Sequence, residues 1–112
     1  MPPMSLLRVL YPCAREVGVS EMELLAIRDG DLSALKDTTG CFSDCVAGKI
    51  NALIDGIFHP DVILERLSRV LKEDQALAVM EKCTGRQGDG ECQITGMVFE
   101  CIIETVLGIT LD

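Results

Sequence analysis

The chain has 112 residues, 48% apolar and 25% charged, with a formal charge of −8 and six cysteines. That is a globular composition for one domain spanning 1–112; the acidic balance argues against nucleic acid and anionic membranes, which need a Lys/Arg surface, and no apolar run approaches the roughly 18 residues of a membrane span, so no membrane insertion is expected. Six cysteines in a chain this short read as three disulfides formed in an oxidising compartment; with no C-x2-C pair and one histidine, no metal site is expected.

The start, Met1-Pro2-Pro3-Met4, lacks the basic end and apolar stretch of a signal peptide, so a secreted protein would be present in its mature form behind an added initiator Met. From Met4 onward almost every stretch has helical period, and no strand alternation stands out. A first helix is expected from Met4 to Val17, with Leu6, Leu10, Cys13 and Val17 along one stripe, Pro12 kinking or breaking it and Gly18 stopping it. Ser20-Glu21-Met22-Glu23 is a capping box that starts a second helix through Ile27, ending near Gly30. A polar connection leads to Thr38. There a third helix begins on Thr38 or Thr39 and runs to about Asp55, with Asp44 in its early turns and Gly56 as its stop.

His59-Pro60-Asp61 opens a fourth helix, since proline suits the first turn. Its stripe is Ile63, Leu67 and Val70, with Leu64 and Leu71 alongside. Asp74 caps a fifth helix that carries Leu77, Met80 and Cys83 and stops at Gly85. A last helix is expected from about Asp89 to Leu107, with Ile94, Val98 and Ile102 on one stripe, followed by an apolar tail from Gly108.

Cys41 and Cys45 are one turn apart on one face, so both should reach neighbouring elements. If the last helix is continuous, Cys92 and Cys101 lie about 900° apart around it and project from opposite faces. This removes Cys92–Cys101 and disfavours Cys41–Cys45 among the roughly 15 possible pairings, but selects none of the rest. Each bridge closing a long loop adds roughly 3–4 kcal/mol in the chain-entropy model.

The spacing Cys13-x27-Cys41-x3-Cys45-x37-Cys83-x8-Cys92-x8-Cys101, together with the pair Cys41-Phe42, resembles the six-cysteine signature of the insect odorant-binding and pheromone-binding proteins. The resemblance covers Cys13 to Cys101, and its x3 and final x8 gaps are the most rigid in that family. It implies the pairing Cys13–Cys45, Cys41–Cys92 and Cys83–Cys101. It also implies an all-α, six-helix disulfide-bridged domain around an internal apolar cavity. The activity implied is secreted, reversible, non-covalent carriage of small hydrophobic odorants, pheromones or similar lipids, with no cofactor. A small apolar ligand is then the main partner and an olfactory receptor a further one, with the chain a monomer or weak homodimer. Saposin-like proteins and plant lipid-transfer proteins fit less well, because their C-x2-C start and adjacent Cys-Cys pair are absent.

By position relative to the matched cysteines, the wall of such a pocket is expected to include Leu6, Leu10, Ile27, Ala47, Leu53, Leu67, Leu77, Met80, Val98 and Ile102, with Phe42, Phe58 and Phe99 as further candidates. Each of these residues also suits ordinary core packing. Scarce aromatics favour aliphatic or terpenoid-like ligands, and Thr84 or Thr105 offers one polar contact. His59 is a candidate pH trigger, against the simpler reading of a helix cap or surface residue. No catalytic constellation is apparent, so no enzyme is expected; Asp44, Asp55 and Glu100 read as solvated helix faces. The alternative function on the same scaffold is a salivary, seminal or haemolymph protein that sequesters amines or lipid mediators or acts through protein contacts. An amine site needs a buried carboxylate, for which Glu100 and Glu104 are the candidates.

Overall fold

The computed structural model describes residues 4–29, 31, 33–38, 40–85, 87–88 and 92–111, and for 4–7, 27, 28, 36 and 107–111 the backbone alone. Within these residues the chain forms α1 (Met4–Glu16), α2 (Glu21–Arg28), α3 (Ser33–Lys36) and α4 (Cys41–Lys49), then β1 (Leu53–Ile54) and β2 (Ile57–Phe58), then α5 (Pro60–Leu67), α6 (Glu73–Cys83) and α7 (Val98–Leu111). Among the described residues the fold is all-α apart from one small hairpin.

Local chemistry accounts for the starts of α2 and α5. The Ser20 N–H donates to Glu23 Oε1 at 2.9 Å, and the Glu23 N–H donates to Ser20 Oγ at 3.2 Å, so the expected capping box opens α2. His59 is the N-cap of α5 and Pro60 its first residue. The helix α1 runs through Pro12 without a break. Thr38 lies in a connection that contains the single turn α3.

Several boundaries differ from expectation. α4 starts at Cys41 behind Gly40 and not on a Thr38 or Thr39 cap, α5 stops at Leu67, short of Val70, and α6 has Lys72 as its N-cap with Asp74 inside its first turn. The two largest differences lie at the third and the last helix. The third expected helix ends at Lys49, not Asp55, because Asp55-Gly56 forms a two-residue turn with φ of 52° and 78° and pairs Ile54 with Ile57. Both turn residues need positive φ, which Asp tolerates and Gly adopts freely; this is the type I′ geometry of tight hairpins. The last helix begins at Val98, not Asp89. Cys92 lies in the loop before it at φ 63°, so the argument from opposite faces of one continuous helix does not apply.

Three disulfides bind the layers: Cys13–Cys45 joins α1 to α4, Cys41–Cys92 joins α4 to the loop before α7, and Cys83–Cys101 joins α6 to α7. This is the pairing implied by the resemblance. Their loops of 32, 51 and 18 residues correspond to about 3–4 kcal/mol each in the chain-entropy model. Between the bridges lies the apolar core: Phe42, Val46 and Ala47 of α4 pack with Cys13 and Ala14 of α1, Ile63 of α5, Val79 and Met80 of α6, and Val98, Phe99 and Ile102 of α7.

A buried polar seam fastens α7 to α4. Asp44 accepts the Thr95 N–H at 3.0 Å, the Thr95 hydroxyl at 2.7 Å and the Ile94 N–H at 3.3 Å. The fully buried Ser43 Oγ accepts the Phe99 N–H at 2.9 Å, satisfying one of the amides that the first turn of α7 leaves without a helical partner. The same Ser43 hydroxyl donates to Glu100 Oε2. Glu100 is therefore not a solvated residue; it is 2% exposed, and Asp44 is half-buried. Gly40 closes the seam: at φ 98° it lies against the Cys92 carbonyl oxygen, where a Cβ would collide.

Candidate functional site

An open apolar cleft lies between α5 and α6. Its wall combines Pro60, Asp61 and Leu64 of α5 with Leu77, Met80, Glu81 and Thr84 at and beyond the facing side of α6, around a volume of about 310 Å³. Positions 77, 80, 81 and 84 recur at the three- and four-residue spacing that puts them on one helix face. A second open cleft of about 410 Å³ adjoins it, sharing Pro60 and Thr84 and adding Phe58, Gly85 and Gln87. Proline at the start of α5 and Gly85 past the end of α6 thus shape the meeting point of the two spaces.

The cleft floor and wall are aliphatic. Leu77 stands 49% exposed while Met80, one turn on, is 7% exposed and reaches into the core. The polar groups around it mainly accept. Asp61 and Glu81 are exposed carboxylates, and the single hydroxyl proton of Thr84 goes to the Met80 carbonyl at 2.6 Å, leaving its oxygen as an acceptor.

Of the expected wall residues, Leu77 and Met80 meet at this cleft. Ala47, Val98 and Ile102 lie in the packed core, and Leu10, Leu53 and Leu67 are half-buried against it. The side chains of Leu6 and Ile27 lie outside the described residues. Among the three phenylalanines, Phe42 and Phe99 belong to the core and Phe58 lines the second cleft. Thr105 donates to the Cys101 carbonyl at 2.8 Å, within its own helix.

His59 is half-buried between the lining residues Phe58 and Pro60, and its backbone N–H donates to the Ala52 carbonyl at 2.6 Å. Cys13, Cys45 and Glu16 lie close together, but both sulfurs are spent in one disulfide and offer no thiolate for a metal.

Glu100 is the titratable group that the sequence reading misplaced. Desolvation by burial pushes its carboxyl above the usual carboxylate range, opposed by the Ser43 hydrogen bond. Thr38 Oγ1 lies 3.3 Å from Glu100 Oε1 but donates to the Leu35 carbonyl at the shorter distance of 2.6 Å. A hydroxyl has one proton, so the Thr38–Glu100 contact is best satisfied when Glu100 carries a proton of its own. Its neighbours Ser43 and Thr38 are structural, and Glu100 does not line the α5/α6 cleft. The sequence cue was available: Glu100 is one residue before Cys101 and two before Ile102, on a helix whose composition is strongly apolar.

Among proteins of known sequence, the chain is similar to general odorant-binding protein 56a of Drosophila melanogaster, with 29% identity over 89 residues. It is also similar to odorant-binding protein 10 of Aedes aegypti, with 26% identity over 91 residues. Each match covers 80% of this chain, which spans 64% of the length of either relative. Among solved structures, the fold matches the fatty acid binding protein OBP56a from the oral disk of the blowfly Phormia regina. That match has a TM-score of 0.57 and 28% identity, and it covers 93% of this chain and 90% of that one. The family model of the PBP/GOBP proteins matches residues 4–105. With its six cysteines joined as three disulfides on a helical frame, the chain belongs to the PBP/GOBP family.

Proposed function

We propose that the chain is a secreted carrier that reversibly binds small hydrophobic molecules, acting by binding and not by catalysis. The observation that carries this reading is the aliphatic cleft between α5 and α6, where Leu64, Leu77 and Met80 form one wall. Leu77 is a large apolar side chain left half exposed on a helix whose buried residues are Ala76, Val79, Met80 and Cys83. Covering the exposed half of a leucine is worth about 1 kcal/mol, so an aliphatic chain lying along this wall gains affinity from the first contact. Two further facts support the reading. Three disulfides suit an extracellular protein, and none of the described helices is long and apolar enough to cross a membrane. The named relatives are odorant-binding proteins, and the blowfly structure is called a fatty acid binding protein.

In this reading the cleft is the mouth through which a ligand reaches the Met80 side of the core, and the thioether adapts to ligands of different shape. The expected wall residues Val98 and Ile102 belong with Met80 to one core cluster, and in this reading a ligand meets them only as the helices part. The test is a titration with the fluorescent probe N-phenyl-1-naphthylamine, followed by displacement with aliphatic alcohols, aldehydes and esters. Saturable probe binding, weakened by Leu77→Asp with the circular dichroism spectrum unchanged, is expected. Absence of saturable binding to the folded protein rejects the carrier role.

A further inference from the structure

We infer that Glu16 guards the Cys13–Cys45 bridge, its carboxylate repelling anionic thiols at the Cys45 side and so slowing reduction of that bond. Helix spacing assembles the cluster. Cys13 and Glu16 are three residues apart on α1, and Cys45 and Lys49 are four apart on α4, so each pair shares a helix face, and the bridge sets the two faces against each other. Glu16 Oε2 lies 3.0 Å from Cys45 Sγ, and Lys49 Nζ holds Glu16 Oε1 at 3.3 Å. A disulfide sulfur has no proton to donate, so the approach of carboxylate to sulfur is not a hydrogen bond. It places a negative charge against the S–S bond, and the Lys49 ion pair pins it there.

The chemistry of thiol–disulfide exchange gives that charge a consequence. An incoming thiolate bonds to one sulfur while the electron pair of the S–S bond leaves on the other. Cys13 is fully buried and Cys45 half-buried, so attack falls on Cys45 Sγ. The new bond joins the incoming sulfur to Cys45, the Cys13–Cys45 bond breaks, and its electron pair goes to Cys13 Sγ. A second thiolate then takes the incoming sulfur away as an external disulfide and leaves Cys45 as a thiolate. Two features oppose the first step. The negative charge brought by the thiolate arrives beside the Glu16 carboxylate, of which Lys49 offsets a part. The leaving thiolate forms at a site sealed from water, where it is poorly solvated. The Cys83–Cys101 bridge is an internal comparison: Cys83 is fully buried and Cys101 half-buried in the same way, but the side chain at 3.8 and 4.0 Å from the two sulfurs is the neutral hydroxyl of Thr105.

The test is reduction of the folded parent and of Glu16→Gln by 2-mercaptoethanesulfonate at low salt, with released cysteines trapped by alkylation and assigned by peptide mass spectrometry. Gln keeps the shape of the side chain and removes its charge. A unit charge about 4 Å away changes such a rate by about fivefold in bulk water and by more where water is partly excluded. The Cys13–Cys45 bridge of Glu16→Gln is therefore expected to open about five- to tenfold faster than in the parent, and Cys83–Cys101 at an unchanged rate. The neutral reductant tris(hydroxypropyl)phosphine should open Cys13–Cys45 equally fast in both proteins. Raising the salt to 1 M, where the Debye length is about 3 Å, should shrink the difference seen with the thiol.

Equal rates with the anionic thiol, or a difference just as large with the phosphine, overturn the assignment. So does acceleration of Cys83–Cys101 along with Cys13–Cys45, which marks general loosening of the fold. A rate independent of thiol concentration overturns it as well, because the bond then opens only after unfolding.

Discussion

Replacing Glu100 by Gln should make the protein relatively more stable as pH rises, which is the reverse of the usual loss of a carboxylate. In the folded chain Glu100 is 2% exposed, and burial raises its pKa above the ordinary value of 4.5. The folded state therefore holds a proton that the unfolded state has released over the interval from 4.5 up to the raised folded value. Stability contributed by this group is fully present below the unfolded pKa and is lost as pH rises through the folded one, with a slope of up to about 1.4 kcal/mol per pH unit. Gln keeps the shape and stays neutral. Its carbonyl can accept from Ser43 and its amide can donate to the Thr38 oxygen, replacing the acid proton of Glu100.

Urea unfolding followed by far-UV circular dichroism, in steps from pH 4 to pH 8, measures the difference between variant and parent. It should lie within about 1 kcal/mol of zero at pH 4, rise with pH above that point, and level off once the parent's Glu100 is ionised. A flat or falling difference curve would show that Glu100 is not held protonated by its site and would refute the reasoning. Glu100→Ala is the companion variant. It leaves the Ser43 hydroxyl buried with no acceptor and opens a cavity against α4, for a cost of about 2–4 kcal/mol.

Other expectations concern the frame that holds this seam. Asp44→Ala removes the acceptor for Ile94 and Thr95, the latter fully buried, and should destabilise by about 1–3 kcal/mol in the same unfolding assay. Gly40→Ala places a Cβ against the Cys92 carbonyl oxygen in a backbone of φ 98°. A loss of about 1–3 kcal/mol is expected from the conformation alone, with more from the collision, and an unchanged melting temperature would contradict the close approach. Changing Cys41 and Cys92 together to Ser opens the longest covalent loop, 51 residues, and should cost about 4 kcal/mol. Mass spectrometry of the variant should still show the other two bridges.

The relation between the sequence and this architecture differs from element to element. Ser20 with Glu23, and His59 with Pro60, were legible because caps are local: the groups that satisfy the first amides sit within three residues of them. At the hairpin only the turn signal Asp55-Gly56, between Leu53-Ile54 and Ile57-Phe58, is local in the same way. Its strands are not, because two residues per strand are too few to display alternation. The start of α7 could not be read in the same way. Residues from Ile94 to Val98 carry apolar side chains at helical spacing. The loop nevertheless keeps positive φ at Cys92, Gly96 and Met97 because the Asp44 carboxylate and the Cys41 disulfide hold it to α4. Both anchors are about 50 residues away in the chain, beyond the reach of any periodic pattern.

The candidate site divides along the same line. Leu77 and Met80 were picked out from their positions near Cys83, and they do face one cleft. Pro60, Asp61 and Glu81 entered it only when α5 was laid against α6. By itself the sequence determined a disulfide-bridged, helical chain of the odorant-binding type, because cysteine spacing and cap chemistry are properties of neighbouring residues. Only the tertiary structure decided which carboxylates meet solvent. Asp61 and Glu81 rim an open cleft, while Glu100, of the same charge type and on an equally regular helix, is turned inward onto Ser43. Solvation depends on what packs above a side chain, and that is set by contacts between residues far apart in the chain.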